Sequence, residues 1–112
     1  MSDPRIDPRQ LARLMRLSAV LRDRDLARLS AAGKAVAAID RHLAALDQPA
    51  PAPADVAAAL AQHRYDGWAD ARRRVLQPER ERLNTLRQSA ADQARLSFGR
   101  ALALQRIKDQ LS

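Results

Sequence analysis

Few side chains in this chain could do chemistry. His42 and His63 are its two histidines and it has no cysteine, so thiolate zinc sites and thiol catalysis are excluded. Two imidazoles alone make an incomplete metal site. Glu79 and Glu81 could be a carboxylate pair for acid–base work, but two residues apart on a helix they point away from each other. Arg72, Arg73 and Arg74 could bind phosphate. Three consecutive helical residues spread over about 200° of helix surface, though, so a solvated face is the favoured reading. No Ser/His/Asp grouping, glycine-rich phosphate loop or H-E-x-x-H motif occurs. The sequence reads as a non-enzymatic protein without metal, cofactor or small-molecule substrate.

Composition narrows the class further. The chain has 112 residues, 20 Lys and Arg against 13 Asp and Glu, 3% aromatic residues, 3 Gly and 6 Pro. Ala, Leu and Arg dominate, as in long helices and coiled coils, and the β-branched residues are too scattered for a sheet. No apolar run approaches the roughly 18–20 residues of a membrane span. Met1 to Arg9 carries charges and two prolines and no apolar core, unlike a signal peptide. The net charge of +7 is compatible with an acidic partner, nucleic acid or an anionic membrane face.

The elements that must position these residues are set by the prolines. Asp7-Pro8-Arg9-Gln10 reads as a helix start, with Asp7 as cap and Pro8 in the first turn. Asp47 to Pro53 has a proline at every second residue from Pro49 and cannot be helical. The spacing therefore predicts a flexible N-terminus over 1–7, a helix over 8–47, a Pro-rich turn over 48–53 and a second helix over 54–111. The fold class is all-α, one antiparallel coiled-coil hairpin over 8–112, kinked or broken near Pro78. The competing possibility is a separate third helix starting at that proline.

Apolar spacing supports the pairing. Leu29, Ala32, Val36, Ile39, Leu43 and Leu46 alternate three and four apart as a seam. Leu11, Leu14, Ser18 and Leu21 do the same upstream, with a phase slip expected across 22–25. On the second helix the seam is expected at Tyr65, Trp68, Arg72 and Val75, then Leu83, Leu86, Ala90 and Ala94, then Ala101, Leu104 and Leu111. Tyr65 and Trp68 would then be buried against Val36 or Ile39. A turn centred near Pro51 sets Pro78 across from Arg24 and brings His42 and His63 to one level. It also leaves Leu96 to Leu111 overhanging the start of the first helix, an apolar surplus that calls for a partner.

The pattern Leu11-Ala12-Arg13-Leu14-Met15-Arg16-Leu17, the ending Arg100-Ala101-Leu102-Ala103-Leu104-Gln105-Arg106-Ile107-Lys108, and Tyr65 and Trp68 between them resemble the FliJ/YscO family. Its members are small stalk components of type III protein export machines, flagellar or virulence-associated. The chain departs from the family pattern in its shortness, in Pro78 and in its triple-proline tip. The resemblance implies a cytoplasmic protein, peripheral to an inner-membrane export apparatus. Its paired ends would enter a hexameric export ATPase ring, and the rest of the hairpin would meet the export-gate membrane protein or export chaperones. Carried over, the ATPase end is Leu11, Leu14, Met15, Leu17, Leu104 and Ile107, with Arg13, Arg16, Arg100, Arg106 and Lys108 supplying charge. The tip-side surface is Tyr65 and Trp68.

Two other readings stand beside this one. A homodimeric four-helix bundle would cover the apolar surplus with a second copy. A nucleic-acid-binding coiled coil is suggested by charge alone, and acids interspersed along both helices weigh against it.

Overall fold

Two aspartates, Asp7 and Asp55, and four prolines, Pro8, Pro49, Pro51 and Pro53, decide where the helices begin and end. The computed structural model describes residues 7–111, in two α-helices, α1 over Pro8–Leu46 and α2 over Val56–Leu111. They form an all-α antiparallel hairpin. The expectation for residues 1–7 falls, Asp7 apart, outside the described residues.

Asp7 caps α1: its carboxylate accepts the Arg9 N–H at 3.1 Å and its carbonyl the Leu11 N–H at 2.9 Å. Asp55 does the same for α2, accepting the Ala58 N–H at 2.7 Å on its carboxylate and the Ala59 N–H at 3.0 Å on its carbonyl. A cap residue is itself non-helical, so α2 starts at Val56 rather than at residue 54. α1 ends at Leu46, where the Asp47 N–H closes a last tight turn on the Ala44 carbonyl at 3.1 Å.

α2 continues through Pro78, so no third helix starts there. Proline removes the hydrogen bond to the carbonyl four residues back. Arg74, which carries that carbonyl, is exposed, as is Pro78. Water can therefore take the lost donor's place.

The chain divides into two units. The tip unit is Ala32–Leu86; the terminal unit joins the chain up to Ala31 with the chain from Arg87 onward. In the tip unit Ile39 and Leu46 of α1 pack with Ala69 and Leu76 of α2, flanked by Leu43 and Leu83. Arg80 Nε donates to Asp40 at 2.5 Å, and Arg73 donates to the Leu46 carbonyl at 2.9 Å and to Asp47 at 2.8 Å. Arg73 thus caps the C-terminus of α1, where a cation also opposes the helix dipole.

These contacts correct the expected register. Arg80 meets Asp40, so Pro78 lies beside that stretch of α1 and not beside Arg24. Leu46 meets Arg73, so the turns of α2 before Ala69 lie past the end of α1. His63 is on that overshoot and His42 is not, so the two histidines are not level. From Val56 to Arg73 the helix rises about 26 Å. The linker, residues 47–55, covers about 28 Å when extended like polyproline. A proline-stiffened connector, rather than a tight turn, sets the pairing.

In the terminal unit a buried layer joins Asp25 of α1 to Ser97 of α2, the Ser97 hydroxyl donating to the carboxylate. At the far end Leu11 is buried, and Pro8, Leu11 and Leu111 border one groove. The expected overhang of Leu96 to Leu111 is therefore absent; α2 ends level with the start of α1.

Candidate partner-binding surfaces

The seam of α1 explains what each unit leaves exposed. Leu11, Met15, Ser18, Arg22, Asp25, Leu29, Ala32, Val36, Ile39, Leu43 and Leu46 are all buried or half-buried. That is an unbroken alternation of four and three, so the expected phase slip does not occur. Arg22 and Asp25 simply occupy seam positions, and Leu14, expected on the seam, is 43% exposed.

On α2 the first seam segment runs one residue later than expected. Ala69 is 2% exposed and Leu76 8%, with Arg73 and Arg80 half-buried between and after them. Trp68 is 56% exposed and Val75 61%, with Tyr65 and Arg72 also exposed. The burial of Tyr65 and Trp68 against Val36 or Ile39 is overturned. Arginine stems can cover apolar surface while their heads find carboxylates, so Arg73 and Arg80 serve as seam residues.

The terminal unit has an inverted distribution of polarity. Its buried side chains are Leu11, Ser18, Asp25, Ala94 and Ser97, mostly small or polar. Many of its large apolar side chains, among them Leu14, Leu17, Val20, Leu26, Leu96, Phe98 and Leu102, are exposed. One groove of about 330 Å³ is lined by Leu14, Leu17, Ser18, Leu21, Ser97, Arg100, Ala103 and Leu104. A second, of about 450 Å³, is lined by Pro8, Leu11, Ala12, Met15, Arg16, Lys108 and Leu111. At 100° per residue these grooves lie on opposite flanks of the α1 seam. The Ser18 hydroxyl is buried with no hydrogen-bond partner among the described residues.

The carried-over ATPase-end residues all fall in this unit, in different settings. Leu14, Leu17, Arg100 and Leu104 share the first groove, and Leu11, Met15, Arg16 and Lys108 the second. Leu11 is itself a buried seam residue, and Arg13, Arg106 and Ile107 line neither groove. Sequence reasoning placed Ser18 on the seam by its spacing and missed Ser97, a small polar residue outside the expected apolar pattern.

Charge follows the same division. Residues 1–31 and 87–112 hold 12 Lys and Arg against 6 Asp, and residues 32–86 hold 8 against 7 Asp and Glu, making the chain's 20 and 13. Asp25 is withdrawn from the surface: the Ser97 hydroxyl holds its carboxyl below the usual range, against burial and with Arg24 assisting. Arg13, Arg16, Arg100 and Arg106 make no ion pair among the described residues.

Three of the residues first weighed for chemistry, Glu79, Glu81 and Arg73, are otherwise engaged. Glu79 is paired with Arg82, at 2.5 Å, which lowers its pKa, and Glu81 faces Arg80 at 3.8 Å. Arg73 is raised above the ordinary arginine value chiefly by its hydrogen bond to Asp47. His42 and His63 are exposed, and among the described residues no three His, Cys, Asp or Glu gather as a metal site. No described helix is long and apolar enough to cross a membrane. The chain matches no family model, no curated protein and no solved structure, so the surfaces themselves carry the functional reading.

Proposed function

We propose that this chain is a non-enzymatic stalk or adaptor of a type III, flagellar-type export apparatus. It works in the cytoplasm beside the inner membrane. Its terminal unit enters the ring of a hexameric export ATPase, and its tip unit meets the export gate or an export chaperone. The resemblance to the FliJ/YscO family supplies the identity of the partners. The observation that supports it is the inverted terminal unit, with large apolar side chains and grooves on both flanks of the seam. A surface of that kind suits a partner that closes around the helix pair, since one flat contact would leave the other flank wet. The unpaired arginines suit a partner with an acidic lining.

The test is co-purification with a hexameric export ATPase of the same genome, with ATP turnover measured with and without the chain. Leu17→Asp with Leu102→Asp is the informative variant, because both side chains are more than half exposed and their replacement spares the seam. Binding and altered turnover, both reduced at least tenfold in that variant, are expected. Absence of association at micromolar concentrations, with the chain sedimenting as a stable dimer, would sink the stalk and establish the homodimeric scaffold.

A further inference from the structure

The first turns of α2, from the overshoot past the end of α1 to the stretch beside Leu46, present a face that the terminal unit does not share. At 100° per residue, Arg64, Trp68, Arg72 and Val75 fall within about 80° of helix surface, with Tyr65 at its edge. Asp66 and Asp70 fall on the other side of the seam. There Asp66 accepts from Gln62 at 2.8 Å and Asp70 from Arg73 at 2.7 Å. The acids of this segment are thus turned away and engaged, while Arg64 and Arg72 make no ion pair among the described residues. Between these arginines stand Trp68, 56% exposed, and Tyr65, their ring centroids 5.7 Å apart. Trp, Tyr and Arg are the side chains over-represented where binding energy concentrates.

We infer that the Arg64–Trp68–Arg72 face docks an acidic amphipathic helix of another protein. Arg64 and Arg72 are about 12 Å apart along the axis. A helix laid alongside repeats its own side chains with the same rise, so carboxylates two turns apart meet both guanidiniums, with an apolar residue between them over Trp68 and another past Arg72 over Val75. A second copy fits poorly: antiparallel pairing about Trp68 sets arginine against arginine. Nucleic acid fits poorly as well, since the tip unit is nearly neutral, with 8 Lys and Arg against 7 Asp and Glu. The inference rests on the tip unit being an interaction surface, and it stands with or without an ATPase at the terminal unit.

Trp68 is the chain's one tryptophan, so its fluorescence reports on this face alone. The probe is a synthetic 18-residue helical peptide with glutamates two turns apart and leucines between them. The controls are the same peptide with lysines for glutamates, and an oligodeoxythymidine. The expected result is a blue shift of Trp68 emission with the acidic peptide, weakened by salt. Arg64→Glu with Arg72→Glu should lower the affinity at least tenfold with an unchanged helical circular dichroism spectrum. No shift at millimolar acidic peptide, an equal shift with the lysine peptide, or a shift with the oligonucleotide instead would overturn the proposal. So would a blue shift that follows protein concentration alone, which would assign the face to a second copy.

Discussion

Asp25 is the residue with the most unusual setting, a carboxylate 3% exposed at a seam position. The Ser97 hydroxyl is the main reason its pKa lies below the usual carboxylate value, and Arg24 adds to it. A depressed folded value means that the carboxylate stabilises the fold above the ordinary carboxylate pKa. That contribution is lost as pH falls through the lowered value. Urea unfolding should therefore have a lower midpoint at pH 3 than at pH 7. Ser97→Ala lets the carboxyl climb back toward its ordinary value, so the gap between the two midpoints should shrink. An unchanged gap would mean that Asp25 is not the titrating group. Asp25→Leu with Ser97→Ala should raise the midpoint at pH 7, since buried polar pairs often stabilise less than apolar replacements. A polar seam pair instead favours one register, because any slip leaves the carboxylate without its donor.

At the scale of the elements, the ends of the helices were legible because caps and prolines act locally. Asp7-Pro8 announces a start by what a single side chain can accept, and the alternating prolines exclude helix after Asp47, whereas the cap at Asp55 goes unread and the second start is expected at 54 rather than at Val56. The register was not legible, because it depends on how far the linker reaches before α2 begins. The sequence offers no signal for that beyond proline stiffness. The seam of α2 was misread by one residue for a related reason. Large aromatics at Tyr65 and Trp68 look like core, whereas the seam positions are the buried Ala69 and Leu76 and two half-buried arginines, Arg73 and Arg80, which pair with Asp47 just past the end of α1 and with Asp40 on it. Pro78 gives the element-scale prediction. Since α2 is helical on both sides of it and its carbonyl partner faces water, Pro78→Ala should restore one hydrogen bond and raise stability by about 2–3 kcal/mol. Gly67→Ala and Gly99→Ala, where a methyl group meets nothing within 4 Å, should each add about 0.5–1 kcal/mol. Thermal unfolding of the three variants reads these effects. A Tm for Pro78→Ala at or below the parent's would show that the proline is needed for the packing of Leu76 or the Asp40–Arg80 pair.

For the whole molecule, apolarity and charge pull association in opposite directions. The exposed leucines of the terminal unit favour any partner that covers them, a second copy included. Its charge of 12 Lys and Arg against 6 Asp opposes a second copy and favours an acidic protein. Screening separates the two forces, because the Debye length falls from about 10 Å at 0.1 M salt to about 3 Å at 1 M, while apolar burial is not weakened by sodium chloride. The chain should therefore sediment as a monomer at 0.1 M and self-associate at 1 M, and Leu17→Asp with Leu102→Asp should stay monomeric at both. Association with an acidic partner should run the other way, tightest at low salt. A dimer at 0.1 M that dissociates as salt rises would mean that complementary charges hold two copies together. The excess of arginine would then serve a homodimer, and the terminal unit would not be an end kept free for another protein.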